Sequence, residues 1–249
     1  MKKDLTILQK GIIYFLYRPK IQTTHVESLQ DVQRLYLILK PVDDSKYIKI
    51  ISAKKQLPYE QDTPHFAVVD LVTSDKNELN KNIGEEVYYT NTRGKRVQAK
   101  VRILGEGKYL IVLHKKHTHL VYQLVEPQVL KKPQKSVKIT TEGSLIITVK
   151  NPVIKTKNLG LTAKKKVVFP EKLQNKFNNK KFIPVTSPDF LKYEGTEILL
   201  IGQTTEKVKE ITKYFKQELV HLQLKEIREI FNHLHDDITI MPIFKGKWI

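Results

Sequence analysis

Apolar, β-branched runs of five to eight residues recur down this chain, and most of them stop at a proline, a glycine or an acidic turn. Gly11 to Tyr17 ends at Arg18-Pro19, and Gln33 to Leu39 ends at Lys40-Pro41. Asp43-Asp44-Ser45 then turns the chain into Tyr47 to Ile51, which is a hairpin signal. Runs of this length, bounded by residues that break or bend an extended chain, read as strands rather than helices. His65 to Val72, Leu145 to Val149 and Glu197 to Gly202 follow the same rule. Between Val97 and Val125 three further strands are expected, over 97–104, 109–113 and 120–125, with turns at Gly105-Glu106-Gly107 and at His114 to His119. A short helix over 74–83 fits the spacing of Leu79 and Ile83, with Gly84 as its stop.

Past Gly202 the pattern changes. Val208, Ile211, Phe215, Leu219 and Leu222 recur at intervals of three and four, and Ile227, Ile230, Phe231 and Leu234 continue the stripe. That periodicity predicts one helix or two after a Thr204-Thr205-Glu206 cap, serving as core packing or as a surface for a protein partner over 204–235. The apolar ending around Trp248 is expected to fold back on the body. The expected class is therefore α+β: a mostly antiparallel β-rich unit over 1–202, with a helical C-terminal segment over 203–249. Pro127, Pro133 and Lys131-Lys132 mark either a linker that divides the first unit near 127–135 or a long exposed connection.

Charge narrows the functional classes. Lys and Arg number 44 against 26 Asp and Glu, a formal net charge of +18, and two thirds of that excess lies between residues 101 and 200. Such a field attracts polyanions, nucleic acid foremost. Thirty-eight of the cations are Lys, however, and a lysine-rich solvated surface also follows from codon bias alone. The absence of Cys excludes disulfides, thiol catalysis and Cys-based zinc sites. No apolar stretch approaches the roughly 20 residues of a membrane span, and Asp4 and Lys10 interrupt the start where a signal peptide needs an apolar run. A cytoplasmic location is expected.

Two constellations could carry chemistry. In His114-Lys115-Lys116-His117-Thr118-His119, a four-residue loop over 115–118 would set His114 opposite His119 with Cβ atoms ~5 Å apart and His117 above them. That grouping suits a transition metal, although Lys115 and Lys116 oppose a cation and the run reads equally as a polar turn. In Tyr88-Tyr89-Thr90-Asn91-Thr92-Arg93-Gly94-Lys95-Arg96, a turn at Gly94 would present Arg93, Lys95 and Arg96 beside Tyr89, a combination suited to gripping phosphates while stacking bases. The same arginines could instead pair with Glu85, Glu86 or Asp70. Asp31 and Arg34, three residues apart, read as an ordinary ion pair. No phosphate loop, dinucleotide fingerprint, G-x-S-x-G elbow or H-E-x-x-H motif occurs.

Several segments together resemble an uncharacterised bacterial protein family of about this length: Gly11-x-x-Tyr-Phe-x-Tyr-Arg18-Pro19, Asp31-Val-Gln-Arg-x-Tyr36, Thr90-x-Thr-Arg-Gly-x-Arg96, Gly105-Glu-Gly107, His117-Thr-His-Leu-x-Tyr122, Val149-Lys-Asn-Pro152 and Tyr193 to Gly202. The resemblance implies a bacterial origin and a unit ending near Gly202, and it brings no known function.

The leading expectation is a basic binding protein for RNA or another nucleic acid, with Tyr89, Arg93, Lys95, Arg96, Lys115 and Lys116 as contacts and no cofactor. The alternatives are a hydrolase or nuclease with a metal at His114, His117 and His119, and a protein-interaction role for 204–235.

Overall fold

The computed structural model describes residues 5–60, 63–155, 161, 165–204, 206, 209, 242–243 and 245–249. Among the described residues eleven strands form: β1 (Leu5–Pro19), β2 (Val32–Pro41), β3 (Tyr47–Ser52), β4 (His65–Thr73), β5 (Glu86–Thr90), β6 (Gly94–Gln98), β7 (Arg102–His114), β8 (His117–Glu126), β9 (Glu142–Lys150), β10 (Phe182–Pro184) and β11 (Glu197–Gly202). Short helices α1 (Lys76–Ile83), α2 (Lys132–Ser136) and α3 (Glu171–Gln174) join them.

Eight strands close on themselves in the order β9-β11-β4-β3-β2-β1-β7-β8, every neighbouring pair antiparallel, with β8 returning to β9. Strand β9 makes closure possible by dividing one of its edges, pairing its first half with β8 (His119↔Ile146) and its last residues with the short β10 (Val149↔Ile183). The expected α+β class is thus corrected: the described residues form a closed antiparallel β-barrel joined by few, short helices. The helical segment expected over 203–249 does not set the class, and its apolar stripe lies outside the described residues, which in 204–235 are Thr204, Glu206 and Lys209 alone. The stretch 127–135 lies within one ring, because β8 before it and β9 after it pair directly.

The ring closes around its own side chains. Ile13, Phe15 and Tyr17 of β1 join Leu37, Ile50, Val69, Ile198, Ile147, Leu120 and Tyr109 in a single core containing residues of all eight strands. The alternate residues of β1 are also buried: Ile12, Tyr14 and Leu16 form a second apolar layer outside the ring with Tyr36, Ile38 and Tyr47, covered by Leu79 and Ile83 of α1 and by Ile243. A strand buried on both faces reads as a continuous apolar run, and Gly11 to Tyr17 does so for this reason.

One sequence expectation fails instructively. Gly105-Glu106-Gly107 is no turn; β7 runs through it as one strand of 13 residues. A side chain on Gly107 would place its Cβ 2.3 Å from the Gln123 carbonyl oxygen, so glycine here permits close strand approach rather than reversal.

Both ends of the lumen are stoppered. At the end where β9 leaves and β11 enters, Phe169, Phe177 and Phe190 meet with ring centroids 5.1–5.9 Å apart. At the opposite end, Trp248 lies edge-on to Tyr17 at 5.1 Å, and the Tyr17 hydroxyl donates to the Ile249 carbonyl at 3.1 Å. Gln134 of α2 donates to the Leu104 carbonyl at 2.8 Å and to that of Pro242 at 3.4 Å, tying the returning tail to the ring wall. A filled lumen leaves the outer wall and the appended elements as places for function.

Candidate functional site

The β5–β6 hairpin stands apart from the ring as a two-stranded ribbon. A three-residue loop, 91–93, joins its strands; Gly94 adopts φ +63°, and the Arg93 N–H donates to Thr90 Oγ1 at 3.1 Å. This is the chemistry of a three-residue hairpin loop followed by a left-handed position. The root is held by Gln22, whose N–H donates to the Val97 carbonyl at 2.9 Å while its side-chain oxygen accepts from the Val97 N–H at 2.8 Å. Gln98 is buried and donates to the Pro19 carbonyl at 2.8 Å. Register then sorts the faces. Tyr89 opposes Lys95 and Val87 opposes Val97 on one face, while Tyr88 opposes Arg96 on the other. Tyr89 is 76% exposed and Val87 48% exposed, Arg93 and Lys95 are exposed, and Tyr88 and Arg96 are half-buried. None of Arg93, Lys95 and Arg96 is ion-paired to a described residue, so the pairing considered with Glu85, Glu86 or Asp70 does not form; Asp70 instead holds Lys49 at 2.7 Å.

The histidine run is arranged differently from expectation. Strands β7 and β8 meet through a two-residue turn, Lys115-Lys116, with Lys115 at φ +53°. His114 therefore opposes His117, and His119 opposes Val112. All three imidazoles leave the same face of the hairpin, because directly opposed residues share a side. The His114 and His119 rings lie 5.9 Å apart, but His119 is buried with Nδ1 at 3.2 Å from Ser144 Oγ, and His117 is exposed. Among the described residues no three His, Cys, Asp or Glu side chains gather in a way that could hold a metal.

Ribbon and histidine turn occupy opposite ends of the barrel. Leu5, at the start of β1, pairs with His114, whereas Tyr17, near its end, pairs with Arg102 just after the ribbon. Twelve residues of strand separate them, on the order of 40 Å. The sequence-predicted contacts thus fall into two groups: Tyr89, Arg93, Lys95 and Arg96 at one end, and Lys115, Lys116 and the histidines at the other. The second end also receives the exposed Lys180 and Lys181 ahead of β10, since Thr118 beside the turn donates to the Val185 carbonyl at 3.1 Å. Elsewhere the mid-chain lysines are partly neutralised: Lys150 pairs with Glu197, Lys165 with Glu194, and Lys192 with Asp44 at 3.1 Å and Asp189 at 3.3 Å.

Sequence reading missed a polar cleft of about 750 Å³ on the outer wall, bounded by β1 to β4, α1 and the approach to the ribbon. Arg18 and Arg34, Cα partners across β1 and β2, line it with Tyr36, Lys49, Asp70 and Asn82. Lys49 is buried, ion-paired to Asp70, hydrogen-bonded to Asn82 Oδ1 and seated 4.8 Å over the Tyr36 ring. Arg18 donates through Nη2 to the Asn82 carbonyl at 2.9 Å. Burial raises the Tyr36 hydroxyl pKa, against the lowering charges of Arg18 and Arg34, so the phenol stays protonated at neutral pH. The expected Asp31–Arg34 pair does not form: Asp31 accepts from the Glu27 and Ser28 N–H groups, both at 3.1 Å, as a capping box. The signal available in the sequence was the placement of Arg18 and Arg34 on paired strands, readable once the register of β1 and β2 is known.

The chain matches no protein-family model, no curated protein and no solved structure. Among the described residues no helix is long and apolar enough to cross a membrane.

Proposed function

We propose that the protein binds nucleic acid, RNA or single-stranded DNA, through the β5–β6 ribbon. The observation that carries this reading is Tyr89, an aromatic ring 76% exposed on a projecting hairpin, directly across from Lys95. A large apolar ring held in water beside a cation is a stacking platform with a phosphate partner, and base stacking is indifferent to sequence. Arg93 at the tip and Arg96 on the other face add two unpaired cations within one turn. The net charge of +18 supplies the long-range attraction. Lys115 and Lys116, on the order of 40 Å away by strand length, contribute only to that screened field.

Fluorescence anisotropy with a labelled oligouridylate of about eight nucleotides tests the reading. Three phosphate contacts on a single strand give a log–log salt slope steeper by about 2, so R93Q/K95Q/R96Q is expected to flatten the slope by that amount. Tyr89→Ala is expected to weaken binding about tenfold with the slope unchanged. Absence of binding to both oligouridylate and oligothymidylate at low salt, or a triple variant with the wild-type slope, would overturn the proposal.

A further inference from the structure

The cleft on the outer wall is lined by four cations, Arg18, Arg34, Lys49 and Lys81, and four carboxylates, Asp70, Glu78, Glu85 and Glu86, yet its two arginines have no ion-pair partner among the described residues. Arg18 and Arg34 are directly opposed residues of antiparallel strands, so both side chains rise from the same face with Cβ atoms ~5 Å apart. Like charges in that position weaken a sheet unless something lies between them. Neither guanidinium is ion-paired to a described residue. Asp31 is committed to the backbone of Glu27 and Ser28, and Asp70 is committed to Lys49. Arg18 is only 6% exposed, and its Nε has no hydrogen-bond partner. Removing a guanidinium from water without a counter-charge is costly, and the usual resolution for an arginine is an oxyanion, whose geometry its planar fork matches.

We infer that this cleft is a binding site for a small molecule bearing a single oxyanion head, carboxylate or phosphate, seated between Arg18 and Arg34, with an amino group at its far end. The hydroxyl of Tyr36, close enough to both arginines for their charges to act on it, is a neutral donor for the same head group. The far end follows from the opposite wall, where Glu78 of α1, Glu85 before the ribbon and Glu86 at its first position place three exposed carboxylates on the rim against one exposed cation, Lys81. A polyanion entering the cleft meets that rim and is repelled, whereas an amine is drawn to it. About 750 Å³ is the size of a metabolite site. Lys49, Asp70 and Asn82 form a closed network at the floor that holds the arginine backbone strands and Tyr36 in place without spending Arg34.

This inference stands apart from the nucleic-acid reading, and the variants separate the two. Melting temperature and Arg side-chain NMR resonances of the full chain are followed with inorganic phosphate, phosphoethanolamine, acetate and γ-aminobutyrate, each against NaCl at equal ionic strength. Phosphoethanolamine or γ-aminobutyrate is expected to raise the melting temperature by a few degrees at about 10 mM and to outdo its amine-free counterpart; which of the two wins identifies the head group. Arg34→Gln, at a half-buried position, is expected to weaken binding at least tenfold while folding normally, and Arg18→Gln to do the same. E78Q/E85Q/E86Q is expected to abolish the preference for the amine-bearing probe, and R93Q/K95Q/R96Q to bind every probe as wild type does. No stabilisation by any probe beyond NaCl, or undiminished binding by Arg34→Gln, overturns the inference.

Discussion

Glu106 shows how far a single residue can depart from its ordinary chemistry. It lies on the outer face of β7 with 1% exposure, Cα-paired with Tyr14, and neither its Oε1 nor the Tyr14 hydroxyl finds a hydrogen-bond partner. Burial, and behind it the charge of Glu126, raises its pKa to about 9. At neutral pH the folded protein therefore carries it as a neutral acid, whereas the unfolded chain ionises near 4.5. The stability penalty is absent below about pH 4.5 and grows until the folded group itself ionises near pH 9, reaching about 3 kcal/mol at pH 7. Glu106→Gln keeps the shape and drops the acid. Its stability in urea is expected to equal wild type at pH 4 and to exceed it by a few kcal/mol at pH 8, a gap that denaturation curves across pH measure directly. A pH-independent gap would refute the buried-acid account. Nothing in the Gly105-Glu106-Gly107 run signalled this: the glycines read as a turn, and a turn glutamate would be solvated.

At the level of elements, what the sequence made readable depended on whether neighbouring residues sufficed. Strands β2 to β4 and α1 follow from local apolar runs and their punctuation to within two residues, whereas β1 was expected from Gly11 and begins six residues earlier, at Leu5. Turn lengths did not follow, because a hairpin loop of two residues and one of four differ only in register, and register is set by partners distant in sequence. The histidine run was misjudged for that reason, and the arginine pair of the cleft was invisible for the same one. Glycine roles separate just as cleanly in the structure. At Gly11 an added Cβ would sit 2.1 Å from the Lys40 carbonyl oxygen, whereas at Gly94 nothing lies within 4 Å and only φ +63° resists a side chain. Gly11→Ala is expected to cost about 2–3 kcal/mol or to prevent folding, and Gly94→Ala about 1 kcal/mol or less, in denaturant unfolding. Equal costs would mean that β1 and β2 approach less closely than described.

For the whole molecule, the ring couples residues separated by nearly the entire chain. Tyr17 of β1 contacts both Trp248 and Ile249, so the described tail belongs to the barrel's core rather than to an appendage. Trp248 is the only tryptophan and 6% exposed, which makes its fluorescence a probe of that stopper. Trp248→Ala is expected to destabilise the protein by about 3 kcal/mol, with backbone circular dichroism and tyrosine fluorescence melting together. A variant whose barrel melts at the wild-type midpoint would show that the tail rests on the ring without supporting it. The fold class itself was beyond sequence reading, since closure requires β8 and β9 to find each other and β11 to slot between β4 and β9. No local pattern encodes either event.

The position of β11 has a consequence for biosynthesis. Its residues, Glu197–Gly202, leave the ribosome after the seven strands they complete, and until then β4 and β9 each keep an edge of unpaired amides and carbonyls. A nascent chain stalled short of Gly202 is an open curl with two adhesive rims, ready to stitch onto a neighbouring polypeptide, and the last six-residue strand seals both rims into a hoop.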